Sequence, residues 1–246
     1  MEIFRSNIFR QFPELIFGIS PKTGFNRGAP FYFNMSLTVG DDEKSVWENR
    51  NHFIEELGLK KGDVAFQKQI HSDIVTLIEA PVFAGESDAM ITDKKMVGLA
   101  ISTADCTPVF IYDKANEVIA GVHSGWKGTK QRIVEKVLHI LSDKYNSRPE
   151  NLYAFVGPSI SKENYEVGEE VASLFDSKYS IPGQNGKFLL DVKRANYDML
   201  INFGIPVNNV ELSEICSYDN KNVHSYRRDK QNSGRAVGIL CMSSKR

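Results

Sequence analysis

The chain has 246 residues and a formal charge of −1, so no bulk positive charge is available for gripping nucleic acid or an anionic membrane, and neither partner is expected. No apolar run approaches the length of a membrane span, and Met1-Glu2-Ile3-Phe4-Arg5 lacks a signal-peptide apolar core. Three cysteines, Cys106, Cys216 and Cys241, with no Cys-x-x-Cys pair, suit a reducing cytoplasm better than a disulfide scaffold.

The length allows one large domain or two tightly fused ones. With no linker or repeat in view, a single domain over residues 1–246 is the expectation, as a monomer or weak dimer. Leu15–Ile19 reads as a strand. Residues 21–36, rich in Gly, Pro, Asn and Phe, read as a loop, with Phe31-Tyr32-Phe33 as a short edge. Val46, Trp47, Phe53, Ile54 and Leu57 recur at helical spacing over residues 42–57, and Gly58 and Gly62 end that helix. Two strands, 65–70 and 74–78, flank His71-Ser72-Asp73. Residues 85–93 read as loop, and 96–103 as a buried strand.

The next stretch organises the rest. Val109–Tyr112 and Val118–Val122 are apolar throughout, with the polar turn 113–117 between them, which predicts a hairpin buried on both faces. Pairing the two strands brings Cys106 beside His123. Pro108 cannot donate to the ladder and belongs at a strand start. Gly125-Trp126-Lys127-Gly128 then turns the chain, with Thr129 as the expected N-cap of a helix carrying Ile133, Val137, Ile140, Leu141 and Tyr145. Beyond it come a strand at 152–156, a helix to about Phe175, a polar loop at 180–187, a strand-helix unit from Phe188, and strands at 210–215 and 236–241. Strands and helices without strict alternation predict mixed or antiparallel sheets with flanking helices, an α/β (α+β) chain.

His71, Cys106 and His123 all fall at strand ends or turns. Their spacing is not that of a zinc finger, but three N/S ligands with an open fourth position is the pattern of a catalytic zinc site. Zinc there would acidify a water to a pKa of about 7. Each residue alone also has a plain reading, the cysteine as a small buried hydrophobe and the histidines as hydrogen-bonded structural groups. Asp105, next to Cys106, is a candidate to orient a ligand or act as a general base, or else simply caps a turn. Arg227, Arg228, Arg235 and Lys127 are candidates for an anion pocket, against the commoner reading of a solvated charged loop. Trp126 suits either an aromatic wall or a core edge. His52 and His139 sit within helical patterns as surface or packing residues.

Several motifs occur together and in order: Asn34-Met35-Ser36, Gln69-Ile70-His71-Ser72, Asp88-Ala89, Ala104-Asp105-Cys106-Thr107-Pro108, His123-Ser124-Gly125-Trp126-Lys127-Gly128, Gly157-Pro158, Tyr165-Glu166-Val167-Gly168 and Ser225-Tyr226-Arg227-Arg228-Asp229. In this the chain resembles the YfiH-like family, first described as polyphenol oxidoreductase laccases and later as purine nucleoside phosphorylases. The resemblance covers nearly the whole chain. It implies a four-layer α/β/β/α sandwich similar to the deamidase domain of cytotoxic necrotizing factor, and zinc held by His71, Cys106 and His123. It also implies phosphorolysis of adenosine, inosine, guanosine and methylthioadenosine, and deamination of adenosine. The family loop is usually His-Ala-Gly-Trp-Arg-Gly; here Ser124 and Lys127 stand instead, and lysine does not reproduce a bidentate arginine contact.

Within that reading Asp105 is the expected proton-carrying carboxylate, with Cys106 and His123 beside it. Arg50, Lys127 and Arg227 are the expected phosphate contacts, and Asn34 a sugar or base contact. Two other chemistries compete. A copper centre also takes two histidines and a cysteine, but a four-copper oxidase needs about ten imidazoles and this chain has five histidines with no His-x-His pair. A metal-free Cys106–His123 hydrolase, acting for instance on cell-wall precursors, is the other. A non-catalytic zinc-binding or partner-binding protein is the reading from outside enzymology.

Overall fold

In the computed structural model, which describes residues 2–244, the elements run in chain order as follows. First come β1 (Leu15–Ile19), α1 (Glu43–Glu56), β2 (Val64–Lys68), β3 (Val75–Leu77), β4 (Phe83–Glu86), β5 (Ala89–Thr92) and β6 (Gly98–Thr103). The central hairpin β7 (Thr107–Asp113) and β8 (Val118–Ser124) leads into α2 (Trp126–Lys130) and α3 (Ile133–Tyr145). Then follow β9 (Leu152–Val156), β10 (Glu166–Val167), α4 (Glu169–Ala172), β11 (Ser180–Pro182) and β12 (Phe188–Leu190). The chain closes with α5 (Val192–Asn202), β13 (Val210–Leu212), α6 (Tyr226–Asp229) and β14 (Ala236–Met242).

Two mixed sheets stack face to face. One has the order β1-β14-β6-β2-β4 and the other β13-β9-β7-β8-β5-β3; a small third sheet, β10-β12-β11, stands apart from both. Side-chain alternation explains the stacking. On β7, Phe110 and Tyr112 point into the core between the sheets, where Phe17, Leu99, Ile101 and Leu240 meet them. Val109 and Ile111 point the other way, onto Ile133, Val137 and Leu141 of α3 and Leu200 of α5. On β14, Leu240 and Met242 face inward, while Val237, Ile239 and Cys241 face Phe53 and Ile54 of α1. The layers are therefore helix, sheet, sheet, helix, which is the expected four-layer sandwich. Both faces of each sheet are covered, which is why β7, β8 and β14 read as continuous apolar runs.

The hairpin register pairs Asp113 with Val118 at the tip and Pro108 with His123 at the base. Pro108 sits at the second position of β7, just before β9 joins the strand's other edge at Val109. Between the sheets the backbones approach closely. A Cβ on Gly238 would lie 2.5 Å from Phe110 Cζ, and one on Gly121 2.9 Å from Ile101 Cγ1.

Four local expectations change. Residues 85–93 are not loop: β5 is wholly buried between β3 and β8, its four residues too short a run to stand out beside Ser87 and Asp88. Thr129 does not cap α3, because Arg132 adopts φ 60 and breaks the helix there. Thr129 instead lies inside α2, its hydroxyl donating to the Gly125 carbonyl. Phe31–Phe33 forms no strand; Phe33 packs at 0% exposure from an irregular segment. Residues 180–187 contain β11, paired to β12 despite their polarity.

Candidate metal centre

The ends of β2, β6 and β8 and the starts of β7 and β14 converge at one end of the sandwich, as their pairings require. The Ala104–Cys106 corner carries the chain from the first sheet to the second across this end. Asp105 there has φ 86, the left-handed conformation that folds the corner tightly. Cys106 follows it, and its Sγ lies 3.8 Å from His71 Nε2. One ligand atom each from His71, Cys106 and His123 falls within 4.8 Å of the others.

Each histidine is aimed by the surrounding chain. His71 sits in a loop leaving β2 with φ 60. The neighbouring Gln69 side chain pins that loop to β6, donating to the Ser102 carbonyl and accepting from the Ser102 amide at 2.7 Å each. His123 is nearly buried near the end of β8. Its Nδ1 faces Asp88 Oδ1 at 2.8 Å, which leaves Nε2 for the site. The Asp88 carboxylate, itself fully buried, also accepts from the amides of Ile70, His71 and Ser72 and from the Ser72 hydroxyl. One carboxylate thus fixes both histidines. Burial alone would raise Asp88; the bonds from His123 and Ser72 outweigh it and hold the carboxyl down at about 2.

The three ligand candidates also shift one another. Burial pushes the Cys106 thiol up, but the charge and hydrogen bonds of His123, with those of His71, overcome it and bring it to about 6. Burial would lower His123; the Cys106 and Asp88 charges raise it to about 9. In the metal-free site the pair is therefore a thiolate facing an imidazolium.

The donor set fits a single ion. Zinc bonds of about 2.0–2.3 Å place tetrahedral ligands about 3.5 Å apart, close to the 3.8 Å seen between Sγ and Nε2. Gly125 forms one wall, where a Cβ would sit 2.7 Å from Cys106 Sγ and 3.2 Å from His71 Cδ2, so only glycine leaves room. His71 is exposed, which leaves the fourth position open on its side. The remaining histidines lie elsewhere: His52 stacks on Phe25, His139 is next to Glu135 on α3, and His224 is buried with neither ring nitrogen bonded. The His71–Cys106–His123 group is the one cluster of its kind found among the described residues.

Around this centre the other expected residues divide. Both oxygens of Asp105 are occupied, Oδ1 by the Ser217 hydroxyl and Oδ2 by the Arg227 amide at 2.6 Å each, so the carboxylate clamps a turn onto the corner. Arg227 lies over the Tyr165 ring and donates to the Glu166 carbonyl. Arg228 is tied to Asp229 and to the carbonyls of Ser217, Tyr218, Asn220 and Val223, a structural tether. Asn34 departs from expectation. It is buried, its amide donates to Ser36 and Asp41, and its oxygen accepts from the Ser36 and Arg235 amides. Those four bonds saturate a carboxamide and leave nothing for a sugar. Arg50 is stacked between Trp47 and Phe66, with Nε on the Met35 carbonyl, and burial lowers it to about 10. Lys127 is exposed above the Trp126 ring.

The multi-copper polyphenol oxidoreductase laccase family matches residues 18–243. The chain belongs to this family. Among similar proteins, a purine nucleoside phosphorylase of Bacteroides thetaiotaomicron is 33% identical over 88% of this chain and 84% of its own length. A protein named adenosine deaminase RL5, from an unknown prokaryotic organism, is 30% identical over 82% of this chain and 84% of its own. The crystal structure of YlmD from Geobacillus stearothermophilus superposes with a TM-score of 0.92 at 24% identity, covering 99% of this chain and 97% of that one, which shows a shared fold. One His-Cys-His cluster is present among the described residues. Asp88 and Gly125 stood within the matching motifs, but their roles arise from contacts between segments distant in sequence.

Proposed function

We propose that the chain is a zinc-dependent purine nucleoside enzyme. It would cleave adenosine, inosine, guanosine and methylthioadenosine with phosphate, and deaminate adenosine to inosine. The observation carrying this reading is the open His71–Cys106–His123 cluster at the sandwich mouth, in a chain whose relatives bear phosphorylase and deaminase names. His71, Cys106 and His123 hold the ion, which when bound supplies Lewis acidity toward a substrate or water oxygen. Asp88 keeps the His123 proton on Nδ1, so that Nε2 keeps its lone pair for an ion. In phosphorolysis a phosphate oxygen bonds to ribose C1′ as the C1′–N9 bond breaks, and the purine departs with the electron pair and takes up a proton. Cationic side chains are needed at the attacking anion. Arg227 leads that set, with Arg50 and Lys127 as the other candidates. Asp105 holds Arg227 in place through its main-chain amide, with the Ser217 hydroxyl on its other oxygen. Purine nucleosides and phosphate are the partners, and cytoplasm is the fitting location.

The test is a single incubation of zinc-replete protein with adenosine, with and without phosphate. Adenine formed only with phosphate, and inosine formed without it, are the expected products. No turnover of any purine nucleoside by folded, zinc-replete protein would overturn the reading. One observation favours a second chemistry, the Cys106 thiol brought to about 6 beside a protonated His123, which suits a metal-free hydrolase. Chelation separates the two: it abolishes activity in the first and spares it in the second.

A further inference from the structure

Two guanidinium groups at the mouth lack an acid partner. Arg228 is saturated by Asp229 and four carbonyls, but neither Arg227 nor Arg235 has a carboxylate within ion-pair distance among the described residues. Each is held the same way. Arg227 lies 5.0 Å from the Tyr165 ring centre, with Nη1 on the Glu166 carbonyl at 2.8 Å. Arg235 lies 5.4 Å from the Tyr226 ring centre, with Nη1 on the Ser233 and Gly234 carbonyls at 2.7 and 3.0 Å. In both, a ring face and neutral carbonyls fix one nitrogen while Nε and Nη2 are left without a protein acceptor. That arrangement aims a guanidinium without neutralising it.

The two groups converge on the same corner. The Arg227 amide contacts Asp105 Oδ2, and Arg235 lies over the ring of Tyr226, the residue just before Arg227. Asp105 accepts from the Ser217 hydroxyl and the Arg227 amide, and neither guanidinium bonds it. A half-buried cation without a partner is costly, and two of them linked through Tyr226 call for a doubly charged anion.

We infer that Arg227 and Arg235 form a two-armed clamp for a phosphoryl dianion beside the Cys106 corner, with Asp105 as the residue that positions the first arm. As the seat of inorganic phosphate in nucleoside cleavage it rests on the function proposed above; as a binding site it does not. Lys127 and Arg50 lie outside the clamp.

Zinc-loaded protein, with metal content measured, is titrated with inorganic phosphate in a calorimeter. Phosphate and nucleoside KM values are then determined for Arg227→Gln, Arg235→Gln, Arg235→Lys and Asp105→Asn. Each glutamine variant is expected to weaken phosphate binding about tenfold or more, and to raise phosphate KM more than nucleoside KM. Arg235→Lys restores only part, since lysine lacks the fork. Asp105→Asn raises phosphate KM with zinc retained. Unchanged phosphate affinity in Arg235→Gln, or equal loss in both KM values, overturns the clamp. Wild-type protein that binds phosphate but cleaves no nucleoside sinks the proposed function and leaves the clamp standing; wild-type protein that binds no phosphate does the reverse. A nucleoside 5′-monophosphate bound far more tightly than phosphate, and lost in both glutamine variants, would overturn the co-substrate assignment.

Discussion

Asp88 accepts hydrogen bonds from both sides of the metal site, and its titration makes that role measurable. Its carboxyl stands at about 2, below the ordinary 3.8. A depressed carboxylate stabilises the fold above its ordinary value, and that contribution disappears as pH falls through the folded value. Wild-type melting temperature is therefore expected to fall between pH 3.8 and about 2, whereas Asp88→Asn should be flatter over that window and less stable at neutral pH. In metal-stripped protein, alkylation of Cys106 should show a midpoint near 6 instead of the ordinary 9.0. A midpoint at the ordinary value would mean that His123 does not face the thiol. Gly125→Ala would place a methyl 2.7 Å from the ligand sulfur, so zinc content should drop while far-ultraviolet circular dichroism stays unchanged. These effects were hidden in the sequence for a physical reason. Asp88 gathers donors from the 70–72 loop and from β8, and no periodicity or spacing records such a meeting. The cysteine and histidines were visible as a set because all three fall at strand ends or turns, although each alone has a plain reading.

At the scale of elements, the β7–β8 hairpin was readable because burial on both faces leaves an uninterrupted apolar run on each side of a polar turn. β5 does not stand out because four residues beside a buried serine and aspartate look like loop. Thr129 was misplaced because the break at Arg132 is made by one left-handed residue, and arginine carries no signal for that. The close approach of the sheets was also unreadable, since Gly121 and Gly238 look like any strand glycine until the facing sheet is present. Gly238→Ala would push a methyl to within 2.5 Å of Phe110 Cζ. It should destabilise the fold by about 1–3 kcal/mol in denaturant unfolding without changing zinc content. An unchanged midpoint would show that the inter-sheet core yields more easily than its packing suggests.

The two main sheets share one core, and the three candidate metal ligands belong to both. His71 follows a strand of one sheet, His123 lies near the end of a strand of the other, and Cys106 sits on the corner between them. Calorimetry should therefore give one cooperative transition, not two. Stripping zinc should lower its midpoint, because an ion bound only by the folded state adds about 2.7 kcal/mol at a hundredfold excess over its dissociation constant. Two separated transitions would divide the chain into independent units. No helix among the described residues is long and apolar enough to cross a membrane.

The hairpin has one more consequence. Its two strands are seven residues long, so the Lys114–Glu117 tip stands roughly 20 Å from the Pro108–His123 pair at the base. All four tip residues are exposed. A fluorophore, an affinity tag or even a guest domain spliced there would be carried on the most deeply anchored strands of the molecule, with its loop-closure cost growing only slowly with length. The rigid hairpin that fixes the chemistry at one end thus offers a handle at the other.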